Sequence, residues 1–151
     1  MRYFELVKNE HRRNKSKEIT LPIRSDIGSA GYDFFTPIDL IVPKGGNATF
    51  HTDIKVCIPI DEVLLLFIRS SLGLKHQINL ATNVSLIDSS YYSNPDNDGN
   101  IIITLHNYGL NDYKINQGER VVQGMFVNYK ITDNDFANIN QRKGGVGSTG
   151  R

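Results

Sequence analysis

The chain has no tryptophan and a single cysteine, Cys57, in 151 residues. One cysteine cannot form an internal disulfide, which excludes a disulfide-stapled small domain and fits a reducing compartment. Charge of one sign is not in excess either. Seventeen lysines and arginines stand against sixteen aspartates and glutamates, so the basic surplus of a nucleic-acid binder is missing and no nucleic-acid partner is expected. Long hydrophobic runs are lacking. The longest, residues 63–68, is a strand's worth, against the roughly 20 residues of a membrane-spanning helix. The start, Met1-Arg-Tyr-Phe-Glu-Leu-Val7, carries charges inside its apolar part and no small-residue cleavage site, so it is not read as a signal peptide. A soluble, cytoplasmic protein with no membrane partner is expected.

Helical periodicity is also scarce. Only residues 70–76 suit a couple of helical turns. Strand-length apolar segments recur instead, at 3–7, 19–23, 38–42, 63–68, 78–81, 101–105 and 120–129. Pro22 marks the second as an edge strand, because proline gives no N–H to a ladder. Ile54, Val56 and Ile58 alternate with other partners, the period of a half-buried strand, whereas residues 63–68 read as fully buried. With turn signals between them, the segments predict an all-β sandwich or barrel. Residues 8–18 form a basic run diluted by Glu10 and Glu18 with no interleaved aromatic, so it reads as a solvated loop. From Thr132 the chain turns to Asp, Asn, Gly and Ser. The division is a domain at 1–131 and a mobile C-terminal arm at 132–151.

Several residue types suit phosphate chemistry. Asp88 closes the apolar run of Leu86 and Ile87, and a phenol, Tyr91, follows three residues later. A carboxylate there is costly unless paired, hydrated or used; as a plain turn residue before Ser89 and Ser90 it is equally ordinary. Arg69-Ser70-Ser71 reads as an anion-binding loop or as a helix N-cap. In the tail, Arg142 and Lys143 stand beside glycines, Ser148 and Thr149. They make a strip of cationic, hydroxyl and backbone donors able to wrap phosphates, or a frayed end.

In order along the chain stand Ala30-Gly31-Tyr32-Asp33, Arg69-Ser70-Ser71-Leu72-Gly73, Leu86-Ile87-Asp88 with Tyr91, Gly118-Glu119-Arg120-Val121-Val122-Gln123, and the glycine-rich 144–150. Together they resemble the five motifs of the trimeric dUTPases, especially forms from Gram-positive bacteria or their phages. The resemblance implies a distorted jelly-roll β-barrel in a homotrimer, with active sites at subunit junctions and the arm closing over one of them. The implied reaction is dUTP plus water to dUMP plus pyrophosphate, with Mg2+, which keeps uracil out of DNA and supplies dUMP for thymidylate synthesis. By the same resemblance Asp88 activates the attacking water, and Asp33 meets the magnesium shell through water. Arg69, Ser70, Ser71, Gly73, Gln123, Arg142, Gly147, Ser148 and Thr149 bind phosphates. Thr82, Asn83, Ser85, Leu86, Ile87, Tyr91 and Val146 surround uracil and deoxyribose, with Tyr91 beneath the sugar; its other reading is a half-buried strand aromatic. Glu119 and Arg120 read as structural, fixing the turn before a strand.

The chain departs from the family pattern in four places. Thr82 stands where Asn is common, with Asn83 next; Ser85 stands where Gly is usual; Val146 replaces a uracil-stacking Phe. Loss of that stacking is worth about 1–3 kcal/mol of binding. The fourth is residues 92–99, longer than the usual turn and expected as an exposed insertion, a place for a protein partner. Two rival readings follow: a dCTP deaminase relative, and a phage-type regulatory protein of the same fold that binds a repressor.

Overall fold

The apolar segments of the sequence pair with one another in the computed structural model, which describes residues 1–136, 144 and 145. Twelve strands form among them: β1 (Tyr3–Leu6), β2 (Ile23–Arg24), β3 (Tyr32–Phe35), β4 (Leu40–Val42), β5 (Asn47–His51), β6 (Ile54–Cys57), β7 (Glu62–Ile68), β8 (Ile78–Leu80), β9 (Ser85–Asp88), β10 (Ile102–Asn107), β11 (Tyr113–Ile115) and β12 (Arg120–Asn128). One helix, α1 (Ser70–His76), lies between β7 and β8 where it was expected. Every pairing is antiparallel. A five-stranded sheet has the order β2-β3-β12-β7-β9, a three-stranded one β5-β10-β8, and β1 with β6 and β11 with β4 make two ribbons. The fold is therefore all-β and antiparallel. No described helix is long and apolar enough to cross a membrane.

The inner face of the large sheet carries Phe34, Leu64, Leu66 and Val122, which meet Phe50, Ile78, Leu80, Ile103 and Leu105 in the core. Gly124, at the middle of β12, is what lets the sheet pack there. A Cβ on it would lie 2.9 Å from Leu64 Cδ1, 3.0 Å from Leu66 Cδ2 and 3.1 Å from Phe34 Cε2. Phe4 of β1 seals the rim against Tyr32 and Phe126, with ring centroids 5.4 and 5.7 Å away.

The structure corrects four expectations. Residues 19–23 contain no strand beyond the two-residue β2, since a buried Pro22 interrupts any ladder. β6 is buried on both faces, because Lys55 between Ile54 and Val56 finds Asp98 at 3.0 Å and so tolerates burial. β7 is not fully buried: Leu65 and Phe67 alternate outward and are half exposed. Finally, β3, β5 and β11 are strands that apolar runs did not signal. Their polar or aromatic alternation is decoded by their partners β12, β10 and β4.

Candidate active site

The central strand β12 and its neighbour β3 bring the first, second and fourth motifs together. Asp33 pairs across the ladder with Gln123 and is only 5% exposed. Its Oδ1 lies 3.5 Å from Arg69 Nε and its Oδ2 3.1 Å from Arg120 Nη1. Ser25 Oγ donates to the same Oδ2 at 3.0 Å and accepts from Arg120 Nη1 at 3.0 Å. A buried carboxylate is thus compensated by two guanidinium groups and a hydroxyl. Gly31 leaves the path of Gln123 clear, since a Cβ there would sit 2.9 Å from Gln123 Oε1. The Arg69 N–H donates to Val121 O at 3.1 Å, tying the start of α1 to β12. Arg69 itself occupies the N-cap position, and Ser70 and Ser71 are exposed first-turn residues with no capping hydrogen bond, so the N-cap reading of the serines is corrected. The Gly73 N–H donates to Arg69 O at 3.2 Å, inside the first turn of α1.

Glu119 does fix its turn: Asn116 Nδ2 donates to Glu119 Oε1 at 2.9 Å, and the Glu119 N–H to Asn116 O at 3.1 Å. Arg120 leaves that turn for Asp33, with its guanidinium 5.7 Å from the Phe35 ring centroid. Sequence reasoning missed this contact, and it missed Ser25 altogether, because both depend on a long-range register.

The third motif lies elsewhere. β8 and β9 are joined by a tight turn in which Asn83 takes φ +61° and its N–H donates to Leu80 O at 3.0 Å. Thr82 Oγ1 and Ser85 Oγ are 2.8 Å apart across the turn. Thr82, Asn83 and Leu86 are exposed, whereas Ile87 packs its side chain on the core and presents only backbone. β9 is an edge strand rather than the buried strand expected, so one side of its backbone lies outside the ladder with β7. Asp88 ends β9, half-buried, and the 3-10 turn Ser89–Tyr91 follows. Tyr91 is 7% exposed and sits in that turn, not in a strand.

Residues 92–99 are corrected from an exposed insertion to a largely internal loop. Only Ser93, Pro95 and Asp96 among them are exposed, while Asn94, Asp98 and Gly99 are buried. The loop is anchored because Asp98 accepts from the Lys8 N–H at 2.7 Å and from Lys55 Nζ at 3.0 Å. Burial alone would raise the Asp98 carboxyl, but these two partners hold it below the usual carboxylate range. Tyr92 donates to Glu5, and this bond, with Tyr3 and burial, raises its phenol well above the ordinary tyrosine value. Gly144 and Gly145, from the segment expected to form an arm, lie against this loop in the same chain. A Cβ on Gly144 would collide with Asp96 Oδ2, and one on Gly145 would meet Tyr91 Oη at 3.3 Å. Arg142, Lys143, Val146, Gly147, Ser148 and Thr149 lie outside the described residues.

Register places both clusters on one face of the large sheet. Asp33, Gln123 and Phe67 share a row, then Met125, Leu65 and Leu86, then Val127, Val63 and Asp88. At 3.3 Å per residue and 4.8 Å per strand, Asp88 is about 20 Å from Asp33. Within one chain the cluster of Asp33, Arg69 and Gln123 and the carboxylate of Asp88 do not meet. Between them runs a half-exposed apolar stripe of Phe67, Met125, Leu65, Leu86 and Val127. No group of three His, Cys, Asp or Glu among the described residues is placed to hold a metal.

Comparison with known proteins gives one consistent answer. The dUTPase family model matches residues 17–150. A deoxyuridine 5'-triphosphate nucleotidohydrolase of Lactococcus lactis subsp. lactis is 36% identical over 137 residues, spanning 90% of this chain and 91% of its own length. The crystal structure of dUTPase from Streptococcus mutans superimposes with a TM-score of 0.75 at 34% identity, covering 86% of this chain and 98% of its own. A mutant dUTPase from phage phi11 of S. aureus, known to coordinate a structural Mg(II) ion, shares the fold at a TM-score of 0.71 and 20% identity, covering 91% and 96% of the two chains.

Proposed function

The chain belongs to the dUTPase family, and from that premise we propose that it hydrolyses dUTP to dUMP and pyrophosphate in sites shared between three copies. The antiparallel sheets are read as a distorted jelly-roll barrel spanning 1–131, with 132–151 as an arm that closes over the nucleotide. Asp88 aligns a water molecule and takes its proton as the water oxygen bonds to the α-phosphorus. The bond from that phosphorus to the bridging oxygen breaks in line, and pyrophosphate leaves. Arg69, the Ser70 and Ser71 hydroxyls, the Gly73 backbone and Gln123 neutralise and orient the phosphates. Arg142, Gly147, Ser148 and Thr149 complete the enclosure from the arm.

Magnesium is read as part of the substrate, held by triphosphate oxygens and water, because the described side chains offer no cage for it. When bound it neutralises charge on the triphosphate. Asp33, which is paired with Arg69 and Arg120, would meet its hydration shell through water. The edge backbone of β9 and the turn at Thr82 and Asn83 supply fixed donors and acceptors to uracil, beside Ser85, Leu86, Ile87 and Val146. Cytosine would leave those groups unpaired, which makes its rejection strong. Tyr91 forms the floor beneath deoxyribose.

The observation that carries the shared site is the roughly 20 Å between Asp88 and Asp33 on one sheet face, with an apolar stripe between them that a second copy would cover. The test is complementation. Asp88→Asn alone should lower pyrophosphate release by about 10²–10⁴-fold, and Arg69→Ala should weaken phosphate binding. Co-expressed, the two variants should regain activity, since about one quarter of sites in randomly mixed trimers draw both intact residues from different copies. A mixture no more active than the separate variants would place the whole site within one chain.

A further inference from the structure

We infer that Asn97 is a positioning residue for Tyr91 and, through it, for the choice of deoxyribose over ribose. This deepens the reading of Tyr91 as the floor of the sugar site and rests on it. Asn97 lies in the loop 92–99, which the sequence presents as an insertion rich in turn residues. An ordinary turn asparagine bonds backbone a residue or two away, and Asn97 Oδ1 does so, accepting from the Gly99 N–H at 3.0 Å. Its amide nitrogen does something different. Asn97 Nδ2 reaches back six residues to donate to Tyr91 Oη at 2.7 Å and also approaches Asn100 O at 3.3 Å.

The phenol is thereby gripped from two sides, because Tyr91 Oη donates to Asn100 O at 2.9 Å. The other end of the same residue is fixed by Asn94, whose Nδ2 donates to Tyr91 O at 2.8 Å and to Asn97 Oδ1 at 2.7 Å. The clamp is in turn bolted to the core: Asn100 Nδ2 donates to Asp53 Oδ1 at 2.9 Å, and Asn100 Oδ1 accepts from the Asp53 N–H at 3.0 Å. Gly99, at φ +83°, lets the loop pass this close, since a Cβ there would lie 2.9 Å from Tyr91 O. The loop is therefore a fixed socket for one aromatic ring. A ring that rejects a single hydroxyl must be held to within a fraction of an ångström, and the donor from Asn97 removes the freedom of its polar tip.

The experiment compares dUTP and UTP as substrates for the full-length protein, with kcat and KM measured separately, well below each variant's Tm. Asn97→Asp is nearly isosteric and keeps the acceptor for Gly99 while removing the donor to the phenol; Asn97→Leu removes both. Each should narrow the dUTP over UTP preference by about threefold to tenfold, the worth of one hydrogen bond, and the change should fall on KM more than on kcat. Tyr91→Phe deletes the oxygen that Asn97 holds, so Tyr91→Phe combined with Asn97→Asp should be no worse than Tyr91→Phe alone. An equal loss on both nucleotides, or full additivity in the double variant, overturns the positioning role and leaves Asn97 a structural residue. Tyr91→Ala separates the two levels. If it leaves the nucleotide preference unchanged, the sugar-floor reading of Tyr91 fails and takes this proposal with it. If it abolishes the preference while the Asn97 variants keep it, only the role of Asn97 falls.

Discussion

Replacing Asp33 by asparagine tests whether this carboxylate works by holding Arg69. The group is 5% exposed, with guanidinium nitrogens 3.5 and 3.1 Å from its two oxygens and the Ser25 hydroxyl at 3.0 Å. Asparagine keeps the volume but leaves Arg69 and Arg120 facing one neutral side chain. Breaking a fully buried pair from one side costs about 3–5 kcal/mol, whereas exposed pairs are worth about 0–1 kcal/mol. The arginine side chains are 34% and 37% exposed, so water screens part of the interaction. The expected loss is about 1–3 kcal/mol, or a Tm lower by about 2–10 °C. Thermal unfolding by circular dichroism reads that number. Pyrophosphate release reads the other consequence: with Arg69 no longer oriented, KM for dUTP should rise more than kcat falls. Wild-type Tm and KM together would refute the argument. A collapse of kcat at unchanged KM would show that Asp33 acts on the reaction itself rather than by holding the arginine.

Two further outcomes follow from the same contacts. Gly124→Ala forces a methyl group to within 2.9–3.1 Å of Leu64, Leu66 and Phe34. Overpacking of this kind costs about 1–3 kcal/mol and should lower the urea midpoint with no change in m; a wild-type midpoint would show that the sheet yields there at no expense. Burial would raise the carboxyls of Asp53 and Asp98, yet both lie below their ordinary values because hydrogen bonds outweigh it: the Arg13 and Asn14 N–H groups and the Asn100 amide on Asp53, and the Lys8 N–H with Lys55 on Asp98. Groups depressed by folding contribute their full stability above the unfolded value of about pH 4 and lose it as pH falls through the lower folded value. Asp98→Asn should therefore be less stable than wild type at pH 7 and lose less stability below pH 4, and parallel Tm–pH curves for the two proteins would contradict it.

The family of this chain was legible in the sequence because it is written in short motifs of fixed order, from Ala30-Gly31-Tyr32-Asp33 through Arg69-Ser70-Ser71 to Leu86-Ile87-Asp88. The all-β class followed from strand-length apolar segments without helical period, and α1 falls where it was expected. What stayed hidden depends on pairing register, which links residues far apart in the chain. Asp33 and Arg120 are separated by 87 positions and meet only because β3 pairs with β12. Nothing local to either residue announces that contact. Likewise Asp33 and Asp88 share a sheet face only by register, about 20 Å apart on the strand spacings, and that separation is what the proposal of a site shared between copies rests on.

The loop after Tyr91 was misread for a different reason. Asparagine, aspartate and proline in a row signal a turn, and turns are usually exposed because their polar side chains prefer water. Asn94, Asn97 and Asn100 recur at intervals of three, which turns each amide toward the inside of the loop, where they satisfy one another, the Tyr91 backbone and the phenol. Burial of that many amides is tolerable only when the network is complete. A complete network is also stiff, and the ring at its centre follows Asp88 by three residues. Rigidity in this loop thus passes directly to Tyr91, the residue proposed to lie beneath the sugar. A chain that lengthened the loop for a partner protein would have little reason to bury it on Lys55 and Asp53, whereas one that lengthened it to seat an aromatic ring would need those anchors.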